Sequence, residues 1–106
     1  MDKEAKMHAI EAAKAFVPFA KKHFPYSAVY LFGSYAKGCA TERSDIDVAV
    51  IVPDYGEMEP AELRHACSDL WTSAGNIDIR MEPCVRTMRD RSGFVRTVLE
   101  TGIRVE

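Results

Sequence analysis

An α/β or α+β sandwich, with helices covering one small sheet, is the fold class that this 106-residue sequence predicts. Three observations lead there. Segments with helical apolar spacing alternate along the chain with short runs rich in Val, Ile, Leu and Phe. In the clearest run, Asp45–Val52, residues Ile46, Val48, Val50 and Val52 share one face, and Asp45, Asp47, Ala49 and Ile51 the other. The length, with 47% hydrophobic residues, suits one compact domain over residues 1–106.

The elements follow in order. Residues 2–17 predict a helix, with Asp2 as N-cap and Ile10, Ala13, Val17 and Ala20 at helical spacing. Pro18 removes a backbone donor and is expected to kink or break it, although Lys21, Lys22 and His23 suit a helix C-terminus. Pro25-Tyr26-Ser27 is a turn, and Ala28–Phe32 a short strand. Gly33–Gly38 is a loop running into a short helix, and Cys39–Ser44 a polar connection. Pro53-Asp54-Tyr55-Gly56 ends the strand Asp45–Val52. Residues 57–73 predict a second long helix with Met58, Ala61, Leu63, Ala66, Leu70 and Trp71 on its buried side. Asn76–Met81 reads as a third strand, ended by Pro83. Ser92–Thr101 reads as a helix capped by Ser92 and Gly102, and Ile103–Val105 as a last short strand.

The composition excludes several functions. A net charge of −2 and a pI near 5.9 argue against an electrostatically driven duplex-DNA binder, so nucleic acid is not an expected partner. No uninterrupted apolar stretch resembles a signal segment or a membrane span, so the expected location is cytoplasmic. Cys39, Cys67 and Cys84 form neither a disulfide framework nor a zinc pattern and read as reduced thiols. Arg86, Arg89, Arg91 and Arg96 read as solvated surface, and His8, His23 and His65 as ordinary helix residues. Tyr26, Tyr30 and Tyr35 read as packing residues.

The chemistry concentrates around Asp45 and Asp47. Two residues apart on a strand, they present two carboxylates side by side. Like charges that close repel, and desolvation raises their pKa values further. A hard divalent cation such as Mg²⁺, held by carboxylates and substrate phosphates, resolves both problems. Gly33-Ser34 supplies the complement: glycine lets backbone amides approach a phosphate, and the Ser34 hydroxyl can donate one more bond. Lys37 continues the same turn. Phosphate at the turn and metal at the strand describe a nucleoside triphosphate site. Asp78, on the polar face of the third predicted strand, is expected to be the third carboxylate. There it would bind metal and accept the proton of an acceptor hydroxyl.

Gly33-Ser34, ten residues, then Asp45-Ile46-Asp47 resembles the signature of the polymerase-beta-like nucleotidyltransferase superfamily. "GSYAKG…SDIDVAV" and "FVRTVLETGIRVE" are most similar to its minimal nucleotidyltransferase (MNT) branch. The resemblance implies a small mixed sheet packed with helices. It implies that Asp45, Asp47 and Asp78 coordinate Mg²⁺, two ions being expected, and that Gly33 and Ser34 contact the triphosphate. Position 37, commonly Arg in the branch, is Lys here; it keeps the charge and loses the planar fork. Such enzymes transfer a nucleoside monophosphate to a hydroxyl and release pyrophosphate. Larger members carry an acceptor-holding domain, so the acceptor is expected to dock on this domain or to arrive on a separate protein. In the MNT branch the companion is a small helical HEPN protein, and the pair resembles a toxin–antitoxin system in which the toxin is AMPylated. The expected function is therefore transfer of AMP from ATP to a partner protein. Neutralisation by contact alone, and transfer to a small molecule or an RNA end, are the alternatives.

Overall fold

The computed structural model describes residues 3–106, so the Asp2 cap lies outside the described residues. Along the chain run α1 (Lys3–His23), β1 (Ala28–Phe32), α2 (Ser34–Lys37), β2 (Ile46–Val52), α3 (Pro60–Ile77), β3 (Met81–Thr87), α4 (Phe94–Thr101) and β4 (Ile103–Arg104). The strands form one mixed sheet in the order β3-β2-β1-β4. β1 is antiparallel to β2 and to β4, whereas β2 and β3 are parallel. Parallel neighbours need a crossover connection, and α3 supplies it.

The alternation read in β2 decides which face meets which helices. Ile46, Val48, Val50 and Val52 pack with Phe16, Phe24 and Leu70 of the α1 and α3 side. Ala49 and Ile51 join Tyr30 against Val95 and Val98 of α4, on the opposite face. The sheet is thus covered by two long helices on one side and a short one on the other. Asp45 and Asp47 belong to the α4 face by the same alternation.

Several expectations need correction. α1 does not break at Pro18 but continues to His23. Both Pro18 and Lys14, whose carbonyl loses its helical partner, are exposed, so water can serve that carbonyl. Buried Phe16, Ala20 and Phe24 hold the helix on either side. α3 begins at Pro60, behind a capping box between Glu59 and Glu62, and runs on to Ile77. Ala66, Leu70 and Ala74 form its buried stripe, and Trp71, one residue off that stripe, is 52% exposed instead of core. Consequently residues 76–80 are not a strand: they are the end of α3 and a turn. The third strand starts at Met81, the last residue of the expected strand Asn76–Met81, and Pro83 lies inside it. Proline is tolerated there because β3 is an edge strand with no neighbour on its outer side. The edge is further blunted, since the Met81 N–H donates to the Asp78 carbonyl and the Val85 carbonyl accepts from Arg86 Nη1 (both 2.9 Å).

At the N-terminus of α4 the cap position is Gly93, with φ of 88°, and not Ser92. The Ser92 hydroxyl and the Asp90 carboxylate instead accept from the Phe94 and Val95 N–H groups (3.3 Å each). Gly102 closes the helix by donating to the Val98 carbonyl at 2.8 Å, and its main chain passes close to β1. A Cβ at this position would stand 2.6 Å from the Val98 oxygen and 3.1 Å from the Leu31 oxygen, both backbone atoms. Gly102→Ala is therefore expected to destabilise the fold by about 1–3 kcal/mol, the cost of overpacking a tight contact. Urea unfolding measures it; a midpoint equal to that of the parent would refute the contact.

Candidate active site

The site lies where β1 ends and the parallel strands β2 and β3 begin. Phe32, the last residue of β1, pairs with Asp47, and Asp47 pairs with Glu82 across the parallel ladder. Directly paired residues on neighbouring strands project to the same face. Glu82 therefore joins Asp47 and Asp45, and carboxylate oxygens of the three lie within 4.8 Å of one another. Asp45 and Glu82 are exposed and Asp47 half-buried. Burial pushes the Asp47 carboxyl up to about 6, helped by the charges of Asp45 and Glu82.

The Gly33 turn touches this group directly. Gly33 has φ 76° and ψ −148°, a conformation open essentially to glycine alone. A Cβ there would stand 2.5 Å from Asp47 Oδ2. The missing side chain lets the turn abut the carboxylate. Gly33 occupies the N-cap position of α2, and Ser34 is the first helical residue. Gly38 closes α2 in the left-handed conformation, leaving Lys37 exposed at its end.

Gly33 stands against Asp47, and Asp47 stands beside Asp45 and Glu82, whereas Asp78 lies outside this acidic group. Asp78 is the C-cap of α3. Its carboxylate accepts from Arg80 and is paired with His8 Nε2 at 2.9 Å. Those partners, Arg80 first, hold it far below the usual carboxylate range. Two cationic or hydrogen-bonding neighbours already satisfy it, whereas the charges that raise the Asp47 pKa are those of Asp45 and Glu82. Glu82 is the residue that sequence reasoning missed. Its signal was the alternation Glu82, Cys84, Arg86 against apolar Met81, Pro83 and Val85, hidden by the assumption that Pro83 ends a strand.

Further along the same face the chain is less reactive. Burial pushes the Cys84 thiol up to about 11, so it stays protonated and un-nucleophilic near neutral pH. Phe32 and Phe94 meet edge to face at 5.3 Å, and the Arg86 guanidinium sits 5.2 Å from the Phe94 ring centre. These contacts seat the start of α4 beside the acidic group.

The donor set fits a hard divalent cation. Three carboxylates converge, and the raised Asp47 pKa is what burial and their mutual repulsion produce. The model of the polymerase beta nucleotidyltransferase family matches residues 14–105. The chain belongs to that family.

Solved structures agree on the fold. A Sulfolobus solfataricus protein provisionally assigned as a nucleotidyltransferase superposes with a TM-score of 0.64 at 22% identity, over 95% of this chain and 82% of that one. A mutant of the MntA–HpeT toxin–antitoxin gives 0.55 at 20% identity, over 85% of this chain and 68% of that one. A toxin–antitoxin solved with AMP-PNP gives 0.56 at 20% identity, over 99% and 73%. No curated protein sequence matches the chain. The expected polymerase-beta-like fold is thus the observed one. Among the described residues, no helix of this nucleotidyltransferase-family chain is long and apolar enough to cross a membrane.

Proposed function

We propose that this chain is a Mg²⁺-dependent nucleotidyltransferase that moves AMP from ATP to a hydroxyl of a partner protein. The observation that carries the reading is the convergence of Asp45, Asp47 and Glu82 against the Gly33 turn. Asp45, Asp47 and Glu82 would hold Mg²⁺, in place of the set with Asp78 that the resemblance suggested. Bound there, the metal supplies charge neutralisation for the triphosphate. Main-chain amides at Gly33 and Ser34, the Ser34 hydroxyl and the Lys37 ammonium bind the phosphates. Glu82, exposed on the edge strand, receives the acceptor's proton. The acceptor oxygen bonds to the α-phosphorus, the bond from that phosphorus to the bridging oxygen breaks, and pyrophosphate leaves with the electron pair. The protein's contribution is mainly positioning and electrostatics.

The toxin–antitoxin complexes among the similar structures, one with an ATP analogue, support a nucleotide substrate and a toxin partner. We take that partner to be a small helical HEPN-type protein, with this chain as the antitoxin. The test is intact-mass analysis of such a co-encoded helical protein after incubation with this chain, ATP and Mg²⁺. A mass gain of one adenylate is expected. Absence of Mg²⁺-dependent AMP-PNP binding would overturn the nucleotidyltransferase reading. Binding without transfer, with neutralisation retained when Asp45 and Asp47 are both changed to Asn, would replace catalysis by contact.

A further inference from the structure

Beside the acidic group lies a set of polar side chains that the proposed chemistry leaves unused. Arg80 donates through Nε and Nη2 to the two oxygens of Asp78 (3.3 and 3.2 Å) and through Nη1 to the Tyr35 hydroxyl (2.9 Å). Its own N–H donates to Asp78 Oδ1 at 2.9 Å, and its carbonyl accepts from the Ile46 N–H at 2.9 Å. Both the main chain and the side chain of Arg80 are therefore tied down. His8 anchors the far oxygen of Asp78 to α1 at 2.9 Å. Tyr35 is itself core, 3% exposed.

Three of these tethered residues stand next to a part of the site. Tyr35 follows Ser34 in the phosphate turn. Ile46 stands between Asp45 and Asp47. Arg80 precedes Glu82 by two residues. We propose that Asp78, Arg80 and Tyr35 form a positioning clamp that holds Glu82 and the Gly33–Ser34 turn in register with Asp45 and Asp47. Asp78 then acts through Arg80 and not as a metal ligand. The inference rests on the reading of the acidic group as a Mg²⁺ site. Mg²⁺ demands near-octahedral geometry, and ligands carried on strand ends meet it only if the ends are fixed. A planar guanidinium bridging a carboxylate and a hydroxyl fixes them in a way that the point charge of lysine would not.

The test is Mn²⁺ binding, followed by electron paramagnetic resonance well below each variant's unfolding midpoint. Asp47→Asn and Glu82→Gln are expected to remove the tight site. Asp78→Asn and Tyr35→Phe are expected to weaken it about tenfold, the usual effect of losing a group that orients a ligand, and Arg80→Lys to give no rescue. Parent-like Mn²⁺ affinity in Asp78→Asn and Tyr35→Phe, with only a lower melting point, would reduce the clamp to ordinary structure and overturn the proposal. Loss of the site in Asp78→Asn with its retention in Glu82→Gln would overturn it too, by making Asp78 the ligand. Should Asp78→Asn fail to fold, Tyr35→Phe, which loses one hydroxyl, decides alone. Equal binding by the parent and Asp47→Asn would refute the metal site and the clamp together.

Discussion

Asp47→Asn is expected to abolish nucleotidyl transfer while leaving the metal-free protein folded and more stable than its parent. Asp47 is the half-buried member of the acidic group, with Asp45 and Glu82 beside it. As a metal ligand it supports charge stabilisation worth several kcal/mol, so its loss should slow transfer at least about a thousandfold. Without metal its ionised form is a burden on the fold. Burial and two like charges raise its pKa from 3.8 to about 6. The folded state therefore binds a proton that the unfolded state releases between those values. Stability from the protonated form is fully present below pH about 4 and is lost as the pH rises through about 6. With solvent screening of this half-buried group discounted, the loss is about 1–2 kcal/mol. Urea unfolding in chelator, at pH 4 and pH 7.5, measures it. The parent should lose stability between the two, and Asp47→Asn should lose less. Equal pH profiles for the two proteins would show that Asp47 is not the strained acid.

Gly33→Ala is expected to injure both stability and activity. The added methyl would stand 2.5 Å from Asp47 Oδ2, and φ 76° with ψ −148° is strained for any L side chain. Strain of this kind costs about 1–3 kcal/mol before the clash is counted. The Asp47 carboxylate must shift to relieve this clash, which disturbs its place beside Asp45 and Glu82. Mn²⁺ affinity and the urea midpoint should both fall. If the midpoint falls while Mn²⁺ affinity holds, the turn is not in contact with the metal-binding acids. Gly38→Ala provides the contrast, because a Cβ there meets nothing within 4 Å even though its φ is 78°. It should cost stability alone.

Much of this site was legible from local pattern. The strand carrying Asp45 and Asp47, the face they take, and the glycine turn before them all follow from period-two alternation and residue type. The two faces of β2 fell where the alternation put them, since a buried strand tolerates no slip of register. Pro18, Pro83 and Trp71 depart from local rules for one reason, that their surroundings overrule them: water reaches the open carbonyl in α1, β3 is an edge strand, and the stripe of α3 leaves Trp71 outside.

The partner of Asp47 across the sheet was beyond such rules. Asp78 and Glu82 are four residues apart, and either could have faced Asp47 as far as composition goes. The choice depends on where the 18-residue α3 stops and at which residue the parallel ladder resumes. Tertiary contacts settle that point: Arg80 bridges Asp78 and Tyr35 while its carbonyl receives Ile46. Period and residue type act between near neighbours and can be read from a string. Register between strands separated by a helix is a property of the packed chain, because its energy comes from contacts that exist only once the layers have met.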